Sequence, residues 1–201
     1  QFTVPQSMDG KCIFLKIHTQ IEEWDDGRNP QFLLFVNGKV TQGQDMNHRE
    51  VRLTDCAKAG ETYTLDLQAY TGILHNEFSL MVTASETDLA LLKLYYDLKA
   101  PADAYHYNRM MQGRTKSLIV EALNGALNLL DLRTPHSPEF DASVAAAQEY
   151  INEHLYKNPE LSGHDDIIAS SIGHTHIDVA WWWTVSQTRE KTARSFSTVL
   201  K

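Results

Sequence analysis

Gly173-His174-Thr175-His176-Ile177-Asp178-Val179-Ala180-Trp181-Trp182-Trp183 sets two imidazoles and a carboxylate at alternate positions, directly ahead of three tryptophans. It follows the apolar run Ile167 to Ile172, which has the length of a strand, and it precedes Ser186 to Lys191, which reads as the opening of a helix. In an extended backbone successive side chains alternate faces, so His174, His176 and Asp178 are expected on one side and Thr175, Ile177 and Val179 on the other. Imidazole with carboxylate suits zinc. No cysteine stands nearby, which favours an open, catalytic type of site over a closed structural one. A lone His-x-His arises often by chance, and a tryptophan triplet is more often packing than chemistry. The signal here is the combination, placed between strand and helix, where ligands bind at the carboxyl ends of strands in parallel α/β sheets and barrels.

Composition narrows the function classes. The chain has 201 residues, 42% hydrophobic content and a formal charge of −8 from 26 acidic and 18 basic side chains. This is ordinary globular composition, and it lacks the basic stripe of a nucleic-acid surface. A neutral ligand such as a sugar is compatible. Cys12 and Cys56 do not make a disulfide framework in a chain of this length, which fits a reducing, cytoplasmic compartment. No run of apolar residues is long enough for a membrane span. Gln1 at the start and a helical pattern still running at Leu200-Lys201 suggest a piece of a longer chain.

Residues 1–87 read as a β-sandwich. Cys12 to His18 and Phe32 to Val36 are short, rich in aromatic and β-branched residues, and bounded by turn formers. Asn37-Gly38 is a type I′ hairpin signal, with Lys39 to Gln42 as the return strand. Val51 to Leu53, Tyr63 to Ala69 and Phe78 to Thr83 continue the series, and such spacing suggests two packed sheets. Trp24, Asp25, Asp26 and Arg28, with the stretch from Asp45 to Glu50, could present a sugar-binding face; a loop aromatic and a polar turn is the more frequent outcome.

Residues 88–163 read as a helical connector. Leu89, Leu92, Tyr95, Tyr96 and Lys99 recur near the helical period, and Ala100-Pro101 is expected to interrupt that helix, with another from Pro101 past Met110. Gly113 permits a kink or stop. Leu118, Ala122, Leu123, Ala126, Leu127, Leu129 and Leu130 form an apolar stripe ending at Leu132. Ser137-Pro138 is an N-cap and first-turn pair for a helix through about Lys157. His18, His48, His75, His106, His136, His154 and His164 each lack a second ligand at i+2 or i+4 and read as solvated or hydrogen-bonded side chains.

The block from His174 to Trp181, with Trp183 and Gln187 to Lys191, resembles the start of the catalytic domain of glycoside hydrolase family 38, the zinc-dependent α-mannosidases. Ala180 and the extra tryptophans are similar to the cytosolic and bacterial branch; the Golgi and lysosomal branch carries Pro-Gly before the tryptophan. Phe35 to Gly38, Gln42 to Glu50, Leu94 to Ala100 and Ala126 to Asp131 also resemble the N-terminal region of that branch. The resemblance implies an α+β multidomain fragment: sandwich, helical connector, then residues 164–201 as the first strand and helix of an incomplete (β/α) barrel-like catalytic domain. It implies zinc held by His176 and Asp178 with an Asp and a His from farther along, His174 in support, and Trp181 as an apolar wall for a terminal mannose. It further implies retaining hydrolysis of mannose-containing oligosaccharides, with nucleophile and acid/base supplied downstream, so that this piece alone binds zinc poorly and hydrolyses nothing. Trp182 and Trp183 are expected to pack, and Glu190 to pair with Arg189 or Arg194. Homo-oligomerisation of the full-length protein stays open.

Two other classes compete. An amidohydrolase-like or deacetylase-like hydrolase also places His-x-His at the end of a first barrel strand. The metallo-β-lactamase pattern fits less well, since Val179 stands where it needs a histidine. A non-catalytic carbohydrate-binding or interaction module is the second alternative.

Overall fold

The computed structural model describes residues 1–19, 30–45, 47–70, 77–108, 111, 113–162, 168, 170–173, 175–181 and 183–200. The chain divides into two compact units, one built from 1–87 and 171–201 and the other from 88–170. The strands are β1 (Phe2–Thr3), β2 (Ile13–His18), β3 (Gln31–Val36), β4 (Lys39–Gln44), β5 (Glu50–Thr54), β6 (Thr62–Tyr63), β7 (Leu65–Tyr70) and β8 (Met81–Glu86). The helices are α1 (Leu89–Tyr107), α2 (Gly113–Asn128), α3 (Pro138–Ile151), α4 (Pro159–Ser162) and α5 (Val185–Val199), with a π-helical turn at Asn152–Tyr156.

The first unit is a sandwich of two three-stranded antiparallel sheets, ordered β5-β2-β8 and β4-β3-β7, with β1 and β6 paired beside them. Alternation in β2 buries Ile13, Leu15 and Ile17. Leu15 and Val51 of one sheet meet Leu34 of the other, and Leu67 and Ala84 pack against them. Leu34 is only 1% exposed, so truncation to alanine there costs about 2–5 kcal/mol. The β3–β4 hairpin turns through Asn37 (φ 51°) and Gly38 (φ 75°), the left-handed pair that a type I′ turn requires.

Three strand limits differ from the sequence reading. The expected strand from Tyr63 to Ala69 is two strands, because Tyr63 pairs with Phe2 while Leu65 pairs with Val36. Thr64 between them exchanges bonds with Asn37: its amide donates to Asn37 Oδ1 at 2.9 Å, and the Asn37 amide donates to its carbonyl at 2.8 Å. The strand expected over Phe78 to Thr83 runs instead from Met81 to Glu86, since its ends follow the ladder to Ile13–His18 and not its own apolar content. The third difference lies in the run before the histidines. Ile168 and Ile172 are each 88% exposed, and none of the described residues among 168–183 is in a strand. A strand of the parallel type needs neighbours to pair with, and the described strands pair only with one another, all antiparallel. The described residues therefore form a mixed α/β structure with antiparallel sheets and no closed barrel.

The second unit is helical. Leu94 of α1, Ile119, Ala122 and Ala126 of α2, and Phe140, Val144, Ala147 and Ile151 of α3 form its core with Leu155. Ile119 takes the inward position that the sequence stripe gave to Leu118, and Leu127, Leu129 and Leu132 lie exposed. Ser137 caps α3 as expected, its Oγ accepting from the Phe140 amide at 3.1 Å with Pro138 in the first turn.

The expected break at Ala100-Pro101 does not occur: α1 continues through Pro101. Proline removes the amide that would bond the carbonyl four residues back, here that of Asp97. The Tyr156 hydroxyl donates to that carbonyl at 2.9 Å. A tertiary partner thus replaces the missing donor, and α1 remains one helix.

Candidate metal centre

His176 Nε2 lies 2.9 Å from Asp178 Oδ1, within hydrogen-bond distance. Both are open to solvent, His176 with its side chain 76% exposed. Two ligands at tetrahedral positions about a zinc ion, each about 2.0–2.2 Å from it, stand roughly 3.4 Å apart. That is about half an ångström wider than the present pair, and imidazole with carboxylate is a donor set that suits zinc. Among the described residues no third His, Cys, Asp or Glu joins them in a metal-sized cluster. His174 and Trp182 lie outside the described residues.

Trp181 is 71% exposed and contacts Trp183 edge-on, with ring centroids 5.8 Å apart. Trp183 is held inward: its Nε1 donates to Thr188 Oγ1 at 3.1 Å, and the Lys191 ammonium lies 4.3 Å from its ring centroid.

Helix α5 carries the turn at 178–183 and is itself seated on the sandwich. Thr184 and Gln187 form a capping box at its start. Gly43 of β4 meets the backbone of Arg194, and Thr198 Oγ1 donates to the Gly43 carbonyl at 3.3 Å. Arg194 is buried, donates to Gln31 Oε1 and lies over the Tyr70 ring at 5.6 Å. Burial pushes the Tyr70 phenol up, the Arg194 charge offsets part of this, and Glu190 adds to it. Glu190 accepts from Gln68 Nε2 of β7 at 3.2 Å. The sequence paired Glu190 with a neighbouring arginine; the partner in the structure comes from a strand more than a hundred residues away, which helix periodicity cannot reveal.

In the stretch from Asp45 to Glu50, Met46 lies outside the described residues and Asp45 is the centre of a local hydrogen-bond cluster. Asp45 Oδ1 accepts from the amides of Asn47 and His48, each at 2.8 Å, and lies 2.9 Å from His48 Nδ1. The Trp24 to Arg28 stretch lies outside the described residues. His154 stacks on Tyr150 at 3.8 Å, and His136 and His106 contact Phe140 and Tyr107, in keeping with packing roles. Thr188 escaped the sequence reading, because a threonine inside a helix carries no local signal of the distant carbonyls it reaches.

Residues 166–201, which include this centre, match the family described as Glycosyl hydrolases family 38 N-terminal domain. Alpha-mannosidase 2C1 of Mus musculus is 32% identical over 81 residues, which is 40% of this chain and 7% of that protein. Alpha-mannosidase G of Dictyostelium discoideum is 24% identical over 187 residues, 83% of this chain and 16% of the relative. Alpha-mannosidase 2C1 of Homo sapiens is 30% identical over 223 aligned positions, spanning 100% of this chain and 19% of its own length. The chain thus spans at most 19% of the length of these relatives. The family match takes in the His176–Asp178 block, and the three relatives are all α-mannosidases by name.

Proposed function

We propose that this chain supplies the opening part of a zinc-dependent α-mannosidase site acting on terminal α-mannosides with retention. The observation that carries the reading is the approach of His176 Nε2 to Asp178 Oδ1 at 2.9 Å, in the same block that matches the family. His176 and Asp178 hold two of four metal positions, with an Asp and a His from sequence beyond this chain in the other two. When bound, the metal supplies a Lewis-acid grip on neighbouring sugar hydroxyls. Trp181 offers its exposed face to the apolar C–H side of the pyranose, fixing the sugar over the metal ligands. His174 steadies the ligands from behind.

A retaining glycosidase needs two carboxyl groups about 5–5.5 Å apart. Glu190 is engaged by Gln68 on the sandwich side, which speaks for a structural role, so both carboxyl groups are assigned to sequence outside this chain. Residues 164–201 then open the catalytic domain, 1–87 form its N-terminal sandwich and 88–163 the helical connector. The free thiols Cys12 and Cys56 favour the cytoplasm for the full protein. No helix among the described residues is long and apolar enough to cross a membrane.

The test is hydrolysis of an aryl α-mannoside by the full polypeptide that carries this sequence, with its zinc content measured in parallel. His176→Gln and Asp178→Asn each lower kcat/KM by at least about 100-fold and deplete bound zinc. Turnover and zinc content that survive Asp178→Ala would refute the reading.

A further inference from the structure

A threonine inside a helix ordinarily donates its hydroxyl to the carbonyl one turn back. Thr192 of α5 does so, bonding the Thr188 carbonyl at 2.8 Å. Thr188, one turn earlier, sits differently. Its own carbonyl one turn back, that of Thr184, is 3.4 Å away, whereas the Oγ1 reaches the carbonyls of Val179 and Asp178, the latter at 3.3 Å. The same Oγ1 accepts from Trp183 Nε1 at 3.1 Å, and that indole nitrogen stands 3.4 Å from the Asp178 carbonyl. Two side chains therefore converge on the peptide group that follows the Asp178 carboxylate.

We infer that Thr188 is a positioning residue for the metal ligand Asp178, with Trp183 as its relay, an inference that rests on the function proposed above. The hydroxyl has one proton to donate and two adjacent carbonyls to receive it, so it ties the 178–179 and 179–180 peptides, which directly follow Asp178, to the first turn of α5. Pinning those peptides fixes the direction of the Asp178 Cα–Cβ bond and hence the carboxylate's separation from His176. A ligand must be held to within about half an ångström to bind metal productively. The anchor is firm because α5 begins at a capping box and lies on β4 through Gly43. Lys191 over the Trp183 ring holds the indole in the orientation that delivers its N–H to Thr188.

The experiment measures zinc affinity of the full polypeptide by competition with a chromophoric chelator, and the melting temperature of the metal-free protein. Thr188→Val keeps the shape and removes the hydroxyl; it weakens zinc binding about 10- to 100-fold. Thr188→Ser restores the hydroxyl and returns affinity to within about threefold of wild type, although it lacks the methyl group that Thr188→Val keeps. A Thr188→Val protein that binds zinc as tightly as wild type overturns the inference, as does a Thr188→Ser protein as weak as Thr188→Val. Should Thr188→Val fail to fold, Trp183→Phe removes the relay's N–H while keeping a ring for Lys191, and unchanged zinc affinity in that variant overturns the inference in its place. Zinc affinity unaffected by His176→Gln and Asp178→Asn overturns the proposed site itself. Loss in those two with none in Thr188→Val overturns the positioning role alone.

Discussion

Gly43→Ala is expected to lift α5 from the sandwich. Gly43 is not in the left-handed region, so alanine suits its backbone; the obstacle is space. A Cβ there would stand 2.5 Å from the Arg194 carbonyl oxygen, 2.7 Å from its Cβ and 2.8 Å from its Cα. None of these atoms is the far end of a flexible side chain, and ordinary contact begins at 3.4 Å, so the helix must retreat by about 1 Å. That retreat also stretches the bonds from Thr198 to the Gly43 carbonyl at 3.3 Å and from Gln68 to Glu190 at 3.2 Å. Overpacking of this kind costs about 1–3 kcal/mol, against roughly 0.4–1 kcal/mol recovered from a stiffer unfolded chain. The net loss is about 1–2 kcal/mol, or a fall in Tm of about 2–8 °C. All four tryptophans fall within 1–87 and 171–201 of the sequence, so tryptophan fluorescence during thermal unfolding reads the unit that α5 belongs to. Gly173→Ala, whose added Cβ meets nothing within 4 Å, is the matched control and should be neutral. A Gly43→Ala protein that melts at or above wild type would refute the close approach of β4 and α5.

Tyr156→Phe leaves the Asp97 carbonyl without the hydroxyl that stands in for Pro101, costing about 0.5–1.5 kcal/mol in urea unfolding followed by circular dichroism. In the Pro101→Ala background a helical N–H is restored, so the penalty should largely vanish; equal penalties in both backgrounds would contradict the compensation. Asp131 is held down to about 2 by its bonds from the Arg133 side chain and amide. Because its folded value is depressed, the stabilisation is complete above the ordinary carboxylate value of 3.8 and is lost as pH falls toward about 2. A carboxyl titration by NMR should show this midpoint rising in Arg133→Gln, and an unmoved midpoint excludes the pair as the cause. Thr184→Ala removes the capping box of α5 and should cost about 0.5–2 kcal/mol by the fluorescence assay; an unchanged midpoint means that tertiary contacts alone hold the helix start.

Local chemistry made several features legible in the sequence. Asn37-Gly38 has few alternatives to a type I′ turn, Ser137-Pro138 few alternatives to a helix start, and β2 shows its buried face through alternation. The contact of His176 with Asp178 at 2.9 Å is equally local, between residues two apart in the chain. In each case the deciding interaction lies within a few residues of chain.

What the tertiary structure decided are the interactions between groups far apart in the chain. Pro101 carries the same signal whether or not a Tyr156 hydroxyl waits for the Asp97 carbonyl, so only the packed helices make α1 continuous. Met81–Glu86 is a strand because β2 offers a ladder there, whereas Ile168 and Ile172 of the apolar run before the histidines remain exposed and outside any strand. Gly43 reads as a weak point in a strand until Arg194 is seen against it, and Thr188 as an ordinary helix residue until its hydroxyl is traced to Asp178. Periodicity encodes which face of an element is buried; the backbone groups and helices that meet that face are set only when distant segments pack together.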